Sequence, residues 1–204
     1  MGLIGTLGLA FGSAWVSGIN LYAMVLTLGL LGRFAGLPLP GDLGVVTDGW
    51  IIGIAALLYV VEFVADKVPV VDSAWDVVHT FIRVPAGAVV AASAFGDFNP
   101  AIQVVALLVG GSLALSSHGA KASARAAMNL SPEPVSNWTA SVVEDVVAVG
   151  GTLLSAFLPV VMLVLVAVAV AVTIWLLPKL LRLLRRTVAS ARSLFKRHGS
   201  DPVR

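Results

Sequence analysis

Residues Val160–Leu177 read VVMLVLVAVAVAVTIWLL, eighteen consecutive positions without a charge. A membrane-spanning helix needs roughly 20 apolar residues, and its backbone must be paired within the segment because hydrocarbon offers no partners. A barrel strand would alternate apolar and polar residues, and this run does not. We read it as a transmembrane helix that ends at Pro178. The whole chain agrees: 58% of its residues are hydrophobic and 12% charged, whereas a soluble domain is about one-quarter charged. Such a chain cannot clothe a soluble fold in polar surface, and a bilayer removes the need by acting as the apolar solvent. The fold class is therefore all-α, a polytopic transmembrane helical bundle.

Charge is divided unevenly along the chain. Residues 1–178 hold five Lys/Arg against ten Asp/Glu, and residues 179–204 hold eight against Asp201 alone. The positive-inside rule sends the basic end to the cytoplasm. That implies a multi-pass protein of the bacterial inner membrane with its C-terminus cytoplasmic. Residues 179–197 read as a basic amphipathic interfacial helix, in which Lys179, Arg182, Arg185 and Arg186 meet anionic lipid head groups at roughly 1 kcal/mol each. Residues 198–204 are expected to be a disordered tail. The apolar partners in this segment argue for lipid over nucleic acid. No cysteine is present, which excludes disulfides and thiolate chemistry. The start, Met1–Ala10, lacks a basic residue and a cleavage site, so it reads as a retained helix.

Residues 1–178 read as one membrane domain with interrupted or re-entrant helices. The first apolar segment, Leu3–Leu31, is interrupted at Ser13, Ser17, Gly18 and Asn20, and reads as one tilted helix or as two halves meeting at Ser17-Gly18. Leu37–Asp42 is a loop, and Trp50 opens a second segment reaching about Val64. Val71–Val84 is a short amphipathic helix; after Pro85, Ala86–Phe95 is too short to span alone and reads as half-membrane. Ile102–Leu115 continues into polar residues, and Asn137-Trp138 opens the next segment. Five to seven membrane segments result. Residues 3–70 and 102–159 share a pattern: a Ser/Gly interruption, a Pro-x-Pro loop, a Trp, then acids and a Pro. This suggests an inverted internal repeat of the transporter kind, against the plainer reading that Gly, Pro and Trp recur in any membrane protein.

Three polar constellations stand out. His118, Lys121 and Arg125 share a helix face. At membrane depth they would need partners such as Glu144/Asp145 or Glu62/Asp66. At the surface they would form an ordinary solvated helix end, and the Ser-rich flanks favour that by placing the boundary near Ser116. Glu62 and Asp66, four apart, could relay a proton, or could form an interfacial pair neutralised by Lys67. Asp72, Asp76, His79 and Arg83 form a stripe that reads as an interfacial helix or as an intramembrane ion-pair network. The cation on that stripe argues against a metal site. Asn20 and Tyr22 sit deep in the first segment, where Asn20 would hydrogen-bond a neighbouring helix or line a site. No nucleotide, zinc-protease or serine-hydrolase motif occurs, so neither a cofactor nor an enzyme activity is expected.

Three stretches together, Ser17–Tyr22 (SGINLY), Glu62–Asp76 (EFVADKVPVVDSAWD) and Ser117–Ala122 (SHGAKA), resemble an uncharacterised bacterial membrane family, the domain of unknown function numbered four-one-two-six. The resemblance implies membership over roughly residues 10–160 and carries no activity with it. The leading expectation from the residues is a small transporter or channel-like permease for a small polar solute or ion, coupled to protons. Its polar lining would be Asn20, Tyr22, Glu62, Asp66, His118, Lys121, Glu144 and Asp145. The alternatives are an accessory or scaffold subunit of a larger membrane complex, a lipid-binding protein, and, third, a membrane enzyme acting on a head group. A homo-oligomer or a larger complex is a further expectation.

Overall fold

The computed structural model describes residues 1–128 and 134–198. Described residues are helical throughout apart from short connections, with no strand among them. The helices are α1 (Leu3–Phe34), α2 (Gly49–Ala65), α3 (Pro69–Ala94), α4 (Pro100–Met128), α5 (Pro134–Phe157) and α6 (Pro159–His198), with a 3-10 turn at Gly41–Thr47 before α2. Five helices are long and apolar enough to cross a membrane, and the 3-10 turn with α2, bent by 70°, forms a broken span or a re-entrant loop, for five or six in all. This agrees with the expected range.

The first interruption lies at Asn20, two residues past Gly18. Its backbone is extended (φ −147°, ψ 100°) within an otherwise helical run. The Asn20 carboxamide oxygen accepts a hydrogen bond from the Ala23 N–H at 2.9 Å, so Asn20 acts as N-cap for the second half of α1. The helix is kinked at this residue. Gly29 packs against Val46, while Gly41, a few residues earlier in the same 3-10 turn, packs against Ser93 and Gly96. That is the end of α3 where Phe95 meets Phe11 of the first half of α1. Trp50, 83% exposed, begins α2, which runs back to bring Glu62 into the bundle.

Three expectations change here. α3 is one helix, not an amphipathic piece followed by a half-membrane piece. Pro85 removes one N–H, but its ring is exposed and the buried stripe of α3 continues past it. α4 runs unbroken through Ser117–Lys121, so this segment is not interrupted as α1 is at Asn20. α6 passes through Pro178 without ending, so the span and the basic segment form one helix. Lys179 and Arg182 are exposed, and the Lys179 ammonium lies 3.0 Å from the centre of the Trp175 ring. The side chains of Arg185 and Arg186, and residues 199–204, lie outside the described residues.

The interior has two storeys because the inward stripes of the helices change chemistry halfway. On α3 the stripe reads Asp72, Asp76, His79, Arg83 and then Gly87, Ala91, Ala94; on α4 it reads Gly110, Ala114 and then Ser117, His118, Lys121, Arg125. Small residues in one storey let backbones meet, as van der Waals packing in lipid requires. A Cβ on Gly18 would collide with Ser117 and the Ala114 carbonyl, and one on Gly87 with Ala114 and Ser17. Gly53, Gly119 and Gly150 face open space. Gly18→Leu is therefore expected to destabilise the bundle by ~3 kcal/mol or more. Gly53→Ala should be neutral or stabilising by up to ~1 kcal/mol. Unfolding of the purified protein by titration with a denaturing detergent measures both.

Candidate functional site

The polar halves of the stripes converge on one cluster. Every one of Glu62, Asp66, Asp72, Asp76, His79, Arg83, His118, Lys121 and Arg125 is at most 6% exposed. The surface reading of His118, Lys121 and Arg125 is thereby corrected: α4 continues to Met128 and carries these residues inside. The outer faces of the same turns are apolar. Val77, Val78 and Phe81 on α3, Val142, Val143 and Val146 on α5, and Val60 and Val64 on α2 all point outward. This pattern places the cluster at membrane depth, where ionisable groups are expensive and must be paired. Lys67 makes no close ion pair with Glu62 or Asp66, although its position suggested one, and feels Asp66 and Asp145 only from the rim. It packs 2.9 Å from the centre of the Phe63 ring and 5.2 Å from that of Trp138, an interfacial arrangement. Partial burial there lowers its pKa from the ordinary lysine value.

Lys121 is the hub. Its ammonium lies 3.3 Å from Asp66, 3.2 Å from Glu144, 3.7 Å from Glu62 and 3.9 Å from Asp76, and donates to the Ile19 carbonyl at 3.3 Å. That carbonyl sits just before the α1 break, where its usual helical partner is missing. Arg83 pairs with Glu62 and, at 3.4 Å, with Asp76. Arg125 grips Glu144 with two bonds of 2.9 and 2.7 Å, the bidentate geometry that makes Arg–carboxylate pairs strong. Its remaining nitrogen donates to the Asp66 and Asn137 carbonyls and to the Asn137 side chain. Asp72 is 3.9 Å from Arg125.

The partners of both histidines fit neutral rings. The guanidinium of Arg83 can only donate, so His118 Nδ1 accepts at 3.3 Å. His118 Nε2–H then donates to the Thr80 hydroxyl at 2.7 Å, and that hydroxyl in turn donates a hydrogen bond to the Asp76 carbonyl. His79 Nδ1–H donates to the Trp75 carbonyl at 2.9 Å, its Nε2 takes the Tyr22 hydroxyl at 3.0 Å, and its ring stacks on Trp75. Asn20 donates to Asp145 at 3.0 Å, which joins the helix break to the cluster.

Among the described residues, the cluster holds six carboxylates (Glu62, Asp66, Asp72, Asp76, Glu144, Asp145) against three cations (Arg83, Lys121, Arg125). Five of the six carry a buried oxygen with no hydrogen-bond partner, and on Asp72 both oxygens lack one. With Lys67 at the rim facing Asp66 and Asp145, the fully ionised cluster carries two more negative than positive charges, and such an excess in an apolar setting invites protons or cations. No group of three or more His, Asp or Glu among the described residues is arranged to hold a metal ion.

All twelve expected lining and stripe residues fall in or against this one cluster. The stripe of α3 is the intramembrane network rather than an interfacial helix. Arg125 is more central than its expected place at a helix end. Thr80 and Asn137 are additions: Thr80 lies one turn after Asp76, a spacing that could have been read, while Asn137 reads in the sequence only as the opening of a segment.

Removing one partner of a buried pair leaves the other stranded, which costs ~3–5 kcal/mol. Arg125→Met should show that loss in a denaturing-detergent titration. Arg125→Met combined with Glu144→Leu should recover part of it.

No curated protein and no solved structure matches the chain. The family model described as Domain of unknown function (DUF4126) matches residues 7–179, and the chain belongs to that family.

Proposed function

We propose that the protein is a small transporter or channel-like permease that moves a small polar solute or ion, coupled to protons, through the bacterial inner membrane. The observation that carries this reading is the charge imbalance of the cluster: six carboxylates face three buried cations and Lys67 at the rim, and unpartnered carboxylate oxygens lie at membrane depth. A purely structural network would be expected to balance, because each uncompensated buried charge opposes folding. An imbalance is what a site requires if protons or cations are to arrive and leave. Intramembrane acids, histidines and lysines recur in proton relays for this reason. The interrupted α1, whose freed Ile19 carbonyl and Asn20 side chain both serve the cluster, is the kind of broken helix that lines transport sites. The basic residues after Trp175 are taken to face the cytoplasm and to touch anionic lipid, by the positive-inside rule.

The test is flux. Protein reconstituted in liposomes with a trapped pH-sensitive dye, under an imposed membrane potential, should carry protons when small polar solutes or alkali salts are added outside. Glu62→Gln and Lys121→Met should each lower that rate by roughly tenfold or more, the effect of losing ~1.4 kcal/mol or more of a required interaction. Wild-type vesicles no faster than empty ones across the panel of solutes would remove the proposal.

A further inference from the structure

α5 and α6 follow one another through Leu158, yet a cleft of about 510 Å³ lies between them, with Trp15 of α1 also in its wall. α5 lines it from Val146 to Leu154 and α6 from Met162 to Val172. Two adjacent glycines, Gly150 and Gly151, lower the α5 wall, and a Cβ on Gly150 would meet nothing within 4 Å. Among the described residues no charged side chain lines the cleft. Val146, Leu165, Val168 and Val172 are exposed at its mouth, so it opens sideways to hydrocarbon. Its lined stretch of α6 is ~15 Å long at ~1.5 Å per residue, about half of the ~30 Å hydrocarbon core. That is the depth of one leaflet. Spread over this length, the volume gives a channel roughly 6–7 Å wide. A second helix, ~10 Å across, does not fit; a single hydrocarbon chain does.

The α6 wall continues into charge. Leu165, Val168, Val172, Trp175, Lys179 and Arg182 recur at spacings of three and four, so they share one face of the helix. Lys179 and Arg182 are exposed. The Lys179 ammonium lies 3.0 Å from the centre of the Trp175 ring, so it is turned back toward the cleft and sits about one turn beyond Val172. An exposed Trp at the end of a span marks the head-group level. α6 carries no Asp or Glu, so the helix does not neutralise these cations itself. We infer that the α5–α6 cleft seats one acyl chain of an anionic phospholipid whose phosphate lies on Lys179 and Arg182. The head-group contact rests on the proposed reading of the basic segment; the seat for the chain does not depend on transport. The seat also adjoins the charged cluster. Val146 and Val147 directly follow Glu144 and Asp145, so the chain lies against the turn of α5 that brings these acids to Lys121 and Asn20.

The experiment uses the full chain, stripped of lipid in a nonionic detergent and titrated with dioleoylphosphatidylglycerol or dioleoylphosphatidylcholine. Native mass spectrometry counts the lipids retained. One phosphatidylglycerol should be held at a concentration roughly tenfold or more below that needed for phosphatidylcholine, the effect of two basic residues on an anionic head group. Lys179→Gln combined with Arg182→Gln should bring the two lipids together. Ala169→Phe, on the α6 wall, fills the cleft without altering a charge and should raise the concentration needed for either lipid roughly tenfold. Gly150→Leu, on the α5 wall, should do the same, and the open space beside Gly150 lets this variant fold; the denaturing-detergent titration checks that. Equal retention of the two lipids by the wild type overturns the inference. So does undiminished retention by a folded cleft-filling variant, which would leave the head group held by charge with no seat for its chain. Absence of flux in the liposome assay removes the transport reading and leaves this site standing.

Discussion

An ammonium held inside the membrane must find its counter-charges there, and Lys121 finds them on three other helices. Glu62 and Asp66 come from the end of α2, Asp76 from α3 and Glu144 from α5, with the Ile19 carbonyl of α1 as a fifth partner. None of these groups could be left facing lipid, so the placement of one side chain constrains five helices at once. The arrangement is not an economical way to gain stability. Well-packed apolar residues of similar volume would serve a bundle as well or better. A network this large and out of balance is better understood as chemistry that the fold tolerates.

What allows the tolerance is the other storey. Gly18 meets Ser117 and Ala114, Gly87 meets Ser17 and Ala114, Gly110 meets Ala91, and Gly12 meets Ser155. These contacts bring α1, α3, α4 and α5 backbone to backbone, and Ser117 adds hydrogen bonds to the Trp15 and Ala114 carbonyls. In lipid no hydrophobic force drives helices together, so close packing of small residues must do so. The packed storey sets the angles and depths at which the charged stripes one or two turns further along the same helices meet. α6 contributes little to this: only 11% of its apolar stretch is buried, through residues such as Met162 and Val166.

The membrane class was legible from Val160–Leu177 alone, and the polar stripe of α3 from its helical spacing, because both signals are local. Pairing was not. Arg125 reads as a helix end, since Ser116 and Ser117 look like a membrane boundary; yet the Ser117 hydroxyl returns its hydrogen bonds to nearby backbone carbonyls and so passes for apolar. Lys67 stands next to Asp66 in sequence but turns outward to Phe63 and Trp138, and no local rule reveals that the countercharge comes from α4. Pro85 and Pro178 read as stops. Each costs one backbone hydrogen bond, which a long helix surrounded by lipid or packed on neighbours can absorb.

The break at Asn20 and the charge imbalance occupy the same place, and that coincidence has a mechanical consequence. One carboxamide caps the second half of α1 through its oxygen and holds Asp145 through its nitrogen. The other oxygen of Asp145 has no partner, and the Ile19 carbonyl released by the break binds Lys121. A proton or cation that changes the charge of the cluster therefore changes the forces on both sides of the one non-helical residue in α1. A ligand shifts a conformational equilibrium only by its differential interaction with the two states. Here the groups that would feel the ligand and the joint that would move are the same residues. Coupling between occupancy and helix geometry then requires no longer path than two hydrogen bonds.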